Sequence, residues 1–111
     1  MTYEDSPPPT PDACFAALAD PTRRKVLEAI IRHPQSVTNI AAHLPVSRPA
    51  VSQHLKTLSD AGLVSAQPQG NKRIYHANRA GLHVVRTYLD GLWDDVLNAF
   101  ADSFEEKDSA K

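Results

Sequence analysis

Seven side chains set the first question: Ser47, Arg48, Pro49, Ser52, Gln53, Lys56 and Thr57. On a helix turning about 100° per residue Pro49, Ser52, Gln53, Lys56 and Thr57 fall on one flank with Arg48 at its edge, and Ser47 precedes them as the cap. Val51, Leu55 and Leu58, with Ala50 and Ala61 beside them, fall on the other. The outward flank offers hydroxyls, an amide and two cations, and meets no acid before Asp60. Such a set suits the edges of DNA bases in the major groove. Glutamine can bond adenine in two places, arginine can bond guanine likewise, and serine or threonine can serve base or phosphate. Free N–H groups and the positive dipole end of the helix's first turn add an attraction for phosphate. An ordinary amphipathic helix with a solvated face shows the same apolar spacing, so the neighbouring elements have to decide.

Those neighbours fit the first reading. Ser36 can cap a short helix whose inward residues are Val37, Ile40, Ala41 and Leu44. Pro45 and Val46 make a tight turn, and Ser47 caps the helix that follows. Pro49 falls in its first turn, where a missing N–H costs nothing, and Gly62 stops it. Short helix, turn and longer helix form a helix-turn-helix. Upstream, a helix begins near Pro11 with Phe15 and Leu18 on one side. Asp20 and Pro21 then start another, running to about Arg32 and burying Val26, Leu27, Ile30 and Ile31. Downstream, two extended runs, Leu63–Pro68 and Arg73–Ala77, are joined by Gln69-Gly70-Asn71-Lys72, where Gly and Asn supply positive φ. Pro68 is expected to weaken the first run. A lone hairpin is marginal in water, so this one must lie against the helices. A last helix extends from about Ala80 to near Phe104. The fold class is therefore mainly α with a small β-hairpin, in one domain spanning residues 11–104. A disordered, proline-rich arm is expected over 1–10 and a flexible tail over 105–111.

Charge is partitioned along the 111 residues. The net value is −1, yet residues 21–80 hold nine Lys/Arg against two acids, a surplus of +7, while residues 1–20 and 81–111 each carry −4. A basic middle between acidic ends suits a polyanion-binding centre. No apolar run approaches the ~20 residues of a membrane span. The acidic N-terminus is unlike a cationic signal sequence, and one cysteine, Cys14, cannot close an intrachain disulfide. These features predict a cytoplasmic protein with no membrane partner.

The last helix carries more apolar surface than its fold can absorb. Leu82, Val85, Leu89, Leu92, Trp93, Val96, Phe100 and Phe104 recur at spacings of mostly three and four. So small a core has little room for Trp93, Phe100 and Phe104 at the far end, and exposed apolar patches mark partners. The expected interface is shared by two copies and comprises Cys14, Phe15, Leu18, Leu89, Leu92, Trp93, Val96 and Phe100. A symmetric pair of reading helices would address inverted half-sites about one helical turn apart.

Three segments, FAALADPTRRKVLEAI, SRPAVSQHLKTLSDAGLV and QGNKRIYHAN, together resemble the ArsR family of winged helix-turn-helix repressors, over roughly residues 13–100 and in the family's order. The resemblance implies a homodimer held by the first and last helices. It places the Ser47–Ala61 helix in the major groove and the Gly70–Arg73 wing against backbone or minor groove. Ser47, Arg48, Ser52, Gln53 and Lys56 match the DNA-reading helix of the family, and Lys72 and Arg73 match its wing. Many relatives sense metals through cysteines on the helix before the reading helix. Ser36 and Thr38 stand at those places here, and neither is a soft-metal ligand. The last helix has His83 and several aspartates but no second histidine, so neither a metal site nor any cofactor is expected.

The function that follows is a sequence-specific, DNA-binding transcription regulator: a homodimeric repressor on double-stranded DNA bearing an inverted repeat. A winged-helix module that docks protein instead is the competing reading, and the +7 middle opposes it. Enzymatic activity finds no support, since the chain has neither phosphate loop nor nucleophile–base pair. Four further readings concern single residues. His54 packs toward the apolar side with a satisfied nitrogen, His33, His43 and His76 are scattered, Cys14 is a small buried hydrophobe before it is a thiol switch, and Arg23 and Arg24 suit phosphate contact or intrachain pairing equally. A small-molecule effector cannot be read from the residues.

Overall fold

The computed structural model describes residues 8–109, the last five as helix backbone only. Its elements run α1 (Pro11–Leu18), α2 (Pro21–Arg32), α3 (Val37–His43), α4 (Arg48–Asp60), β1 (Val64–Gln69), β2 (Lys72–Ala77) and α5 (Arg79–Ser109). Every short helix starts on a polar cap. Thr10 accepts from Ala13 N–H, Ser36 from Asn39 N–H and Ser47 from Ala50 N–H. Asp20 accepts from Thr22 and Arg23, and the N–H of Arg23 above all holds its carboxyl below the ordinary aspartate range. Thr10 thus belongs to the fold rather than to the expected arm, of which residues 1–7 lie outside the described residues. At the other end α5 continues as helix through Ser109, where a flexible tail was expected from 105; residues 110 and 111 lie outside the described residues.

One core collects Cys14 and Ala17 from α1, Val26, Leu27 and Ile30 from α2, Ile40 from α3, Val51, Leu55 and Leu58 from α4, and Ala61, Leu63 and Val64 beyond it. Ile31, expected inside, is 51% exposed. It lies roughly 90° around the helix from the centre of the Val26–Leu27–Ile30 arc, on the last turn, where Pro34 diverts the chain. Cys14 is fully buried, and its thiol points at the carbonyls of Ala61 (3.4 Å) and Gly81 (3.6 Å). Burial pushes its pKa up, so the thiol stays a protonated donor. That removes Cys14 from the expected interface: its side chain fills its own protomer's core.

The end of α4 is closed by two nested hydrogen bonds. Gly62 N–H donates to Ser59 O and Leu63 N–H to Leu58 O, with Gly62 at φ +79° and Leu58 and Leu63 both buried. The chain then meets itself closely, for Gly81 N–H donates to Gly62 O at 2.9 Å. A Cβ at Gly81 would overlap that carbonyl. Gly81→Ala is therefore expected to cost about 1–3 kcal/mol by overpacking. Urea denaturation at fixed protein concentration measures it, and an unchanged midpoint would mean that α5 can move off Gly62 freely.

The hairpin pairs Val64 with Ala77 through to Gln69 with Lys72, and turns on Gly70 and Asn71. Gly70 alone takes positive φ (+64°), as a two-residue turn with glycine first requires. Asn71 does not need it. Tyr75 spends both backbone groups on Gln35, accepting from Gln35 N–H (3.3 Å) and donating to Gln35 O (2.9 Å). Ala66↔Tyr75 is thus a non-hydrogen-bonded pair, and by the alternation of an antiparallel ladder so is Pro68↔Arg73. The absent N–H of Pro68 would have faced outward, so the proline removes no ladder bond and does not weaken the strand as expected.

Beyond Val85, α5 leaves the body. Every residue from Arg86 to Phe104 is exposed, and the radius of gyration is 19.1 Å against ~13 Å for a compact domain of this length. At about 1.5 Å per residue the 31-residue helix is a rod of roughly 46 Å. Phe15 of α1 packs edge-on against Tyr88, with ring centroids 5.4 Å apart, at the root of that rod.

Candidate nucleic-acid interface

The outer face of α4 is built as its sequence implies. Ser47, Arg48, Pro49, Ser52, Gln53 and Lys56 are all exposed, and the Val51–Leu55–Leu58 side is fixed in the core. Two details differ from expectation. Thr57 is half-buried and its hydroxyl donates to Gln53 O at 3.3 Å, so it is turned back onto its own helix rather than outward. The first turn also has less to offer phosphate than a bare helix end. Ser47 Oγ takes Ala50 N–H at 3.3 Å and Pro49 has none, which leaves the Arg48 N–H and the guanidinium beyond it.

The hairpin comes back beside this face. A groove of about 410 Å³ between α4 and the strands is lined by Ser52, Lys56, Ser59, Asp60, Arg73 and Tyr75, among others. Residues distant in the chain, Ser52, Lys56 and Arg73, are thereby brought to one surface. Lys72 is exposed at the tip, one position from Arg73, and so points to the opposite face of the hairpin. Together the two can straddle a phosphate ridge, Arg73 on the helix side and Lys72 on the far side.

The wing's position depends on two residues that the sequence did not single out. Gln35, between α2 and α3, holds β2 through its backbone pair with Tyr75, while its side-chain Nε2 donates to Ala29 O and His33 O at the end of α2. One residue thus ties the wing to the helix-turn-helix.

Arg23 and Arg24 are occupied within the chain. Arg23 donates to Ala17 O (3.1 Å) and lies 3.9 Å from Asp20; Arg24 donates to Leu18 O (2.7 Å) and Ala19 O (3.3 Å). Both guanidinium groups close the carbonyl end of α1, where positive charge is favoured. His54 is half-buried with its Nδ1 enclosed and without a hydrogen-bond partner among the described residues, contrary to the satisfied nitrogen expected of it. Arg23 Nε is likewise enclosed and unpartnered. Among the described residues no three His, Cys, Asp or Glu side chains come together as a metal site would need. No helix among them is long and apolar enough to cross a membrane.

The apolar side of α5 stands uncovered: Leu89, Leu92, Trp93, Val96 and Phe100 are about half exposed or more, Trp93 and Phe100 each 61%. Tyr88, Leu97 and Phe104 extend this patch, Phe104 packing edge-on against Phe100 at 4.6 Å. Tyr88 and Leu97 stand four residues from Leu92 and Trp93, a spacing that places them on the same side. Phe15 is half-buried at its margin against Tyr88, and Leu18 is half-buried against the core.

Comparison with known proteins agrees with this architecture. Residues 20–66 match the model of the family described as "Bacterial regulatory protein, arsR family". The chain is 47% identical over 92 residues to the HTH-type transcriptional regulator Rv2034 of Mycobacterium tuberculosis, covering 83% of this chain and 86% of that protein. Its fold is similar to that of an ArsR-like transcriptional regulator from Rhodococcus sp. RHA1, with a TM-score of 0.71, 36% identity and coverage of 81% and 88%. It is also similar to the homodimeric winged helix-turn-helix DNA-binding domain Mb0332 of Mycobacterium bovis, with a TM-score of 0.60, 26% identity and coverage of 79% and 82%. A helix-turn-helix, a wing tied to it and a relative matched over most of both chains lead to one conclusion: this chain belongs to the ArsR family of bacterial regulatory proteins.

Proposed function

We propose that this DNA-binding transcription regulator works as a homodimer that reads an inverted-repeat operator and represses by occupying it. The convergence of Ser52 and Lys56 with Arg73 around one groove carries the reading, because it joins helix and wing into a single cationic surface. Arg48 and Gln53, on the exposed first and second turns of α4, are the base readers; Ser47, Ser52, Lys56, Lys72 and Arg73 set the register on phosphate. The uncovered α5 stripe buries itself against a second copy, with Phe15 and Leu18 at its edge. The exposed acids Asp90, Asp94, Asp95 and Asp102 lie on this same rod, away from the reading face. No cofactor enters this mechanism, and no catalytic group is assigned.

Salt tests the electrostatic half of the proposal. Lys56, Lys72 and Arg73 on each of two protomers give about six phosphate-neutralising cations, so the logarithm of affinity should fall against the logarithm of salt with a slope near −5. Titrating a labelled promoter duplex between roughly 50 and 200 mM salt should cost on the order of 10³-fold in affinity or more. Weak binding that ignores salt would instead favour a protein-docking role.

A further inference from the structure

Between Pro21 and Ala80 the chain has two acids, Glu28 and Asp60. Glu28 is exposed on α2. Asp60 is the last residue of α4 and shares the α4–hairpin groove with Ser52, Lys56 and Arg73. Its Oδ2 lies 3.2 Å from Lys56 Nζ, and the two side chains are 70% and 67% exposed. Helix physics does not explain an acid there. A carboxylate at a helix C-terminus faces the negative end of the dipole. A lysine followed four residues later by an acid is the weaker orientation of such a pair, and exposed pairs contribute little in any case. What the placement does achieve is to set a negative charge against a cation of the proposed DNA-binding surface, within the groove between helix and wing.

We infer that Asp60 is a specificity-determining residue: it holds Lys56 in an intrachain pair on duplexes that the rest of the surface does not fit, and yields it on the operator. The inference rests on the DNA-binding role proposed above. Non-specific binding is almost wholly attraction between cations and phosphates, so it loses the full contribution of a neutralised lysine. On an operator, base contacts from Arg48 and Gln53 seat the helix deeply enough for phosphate to compete with Asp60 for the ammonium group. Discrimination then comes from a built-in repulsion as well as from attraction.

Asp60→Asn keeps the shape and removes the charge. Its affinity for a non-operator duplex at low salt should rise about 3- to 10-fold, with a salt slope steeper by about one per protomer. Operator affinity should gain less, so the ratio between the two falls. Glu28→Gln removes the same charge from the same basic segment and should change neither. Thermal stability of Asp60→Asn should equal or exceed that of the parent, which separates the effect from folding. In a Lys56→Ala background the gain from Asp60→Asn should vanish. The inference is overturned if the parent binds its operator while Asp60→Asn leaves non-operator affinity unchanged, if Glu28→Gln tightens binding as much, or if the gain survives without Lys56. A parent protein that binds no duplex at all sinks the DNA-binding role, and this inference with it.

Discussion

Trp93→Ala is expected to shift the protein toward monomer and to weaken operator binding in step. Trp93 is 61% exposed on its own protomer and centred in a stripe with Leu89, Leu92, Val96 and Phe100, so its ring has no work inside the fold. Truncating a central interface tryptophan costs about 2 kcal/mol or more, and two-fold symmetry applies that loss twice. About 4 kcal/mol corresponds to a roughly 1,000-fold rise in the dimer dissociation constant. Operator affinity follows because two linked heads bind far more tightly than either alone. Sedimentation velocity at low micromolar concentration, paired with an operator titration, checks both effects. The buried core does not contain Trp93, so the circular dichroism of the helical body should persist. A dimer that survives at low micromolar concentration would exclude Trp93 from the interface.

Local chemistry made most of this fold legible. The caps of α2, α3 and α4 were visible as a Ser or Asp before an apolar rhythm, and Gly62 and Gly70 take positive φ among the described residues where the helix was expected to stop and the hairpin to turn. The apolar rhythm itself separated the buried side of α4 from its outer side without error at Val51, Leu55 and Leu58. What periodicity could not supply was the depth of burial. Cys14 and Phe15 are neighbours in sequence, yet Cys14 is sealed beneath the Ala61 and Gly81 carbonyls while Phe15 sits half-buried against Tyr88. Ile31 reads as core by spacing and lies outside because α2 ends beneath it.

The rest depended on contacts between distant residues. Nothing in the neighbourhood of Gln35 announces a partner forty residues away, since the backbone pair with Tyr75 leaves no side-chain signature. Pro68 looked like damage to a strand because its ladder phase is set by that same distant pair. Arg23 and Arg24 looked equally suited to phosphate or carbonyl. Only the return of α2 onto the end of α1 brings Ala17, Leu18 and Ala19 oxygens within their reach. Side-chain direction matters in the same way at Thr57, whose outward place on the wheel is cancelled by a bond to Gln53 O.

The reading residues give the second large effect. Arg48 and Gln53 are exposed at the start and on the second turn of α4, and neither side chain holds a hydrogen bond or ion pair among the described residues. Both are therefore free to lie against base edges, Arg48 on guanine and Gln53 on adenine. Each substitution to alanine should cost about 1–3 kcal/mol in operator binding and relax preference at its own base pair. As proposed readers of different bases their losses should nearly add, and the double variant should lose about 2–6 kcal/mol, on the order of 30-fold to 10⁴-fold. Non-specific affinity should fall far less, because only Arg48 contributes charge and Gln53 contributes none. Binding selections from a randomised duplex pool, run on parent and variants at one salt concentration, separate the cases. Sequence preference lost at two positions in each half-site assigns both residues to base reading. A uniform loss across all sequences assigns Arg48 to phosphate, and an unchanged profile for Gln53→Ala removes the amide from recognition and leaves specificity to the shape of the duplex.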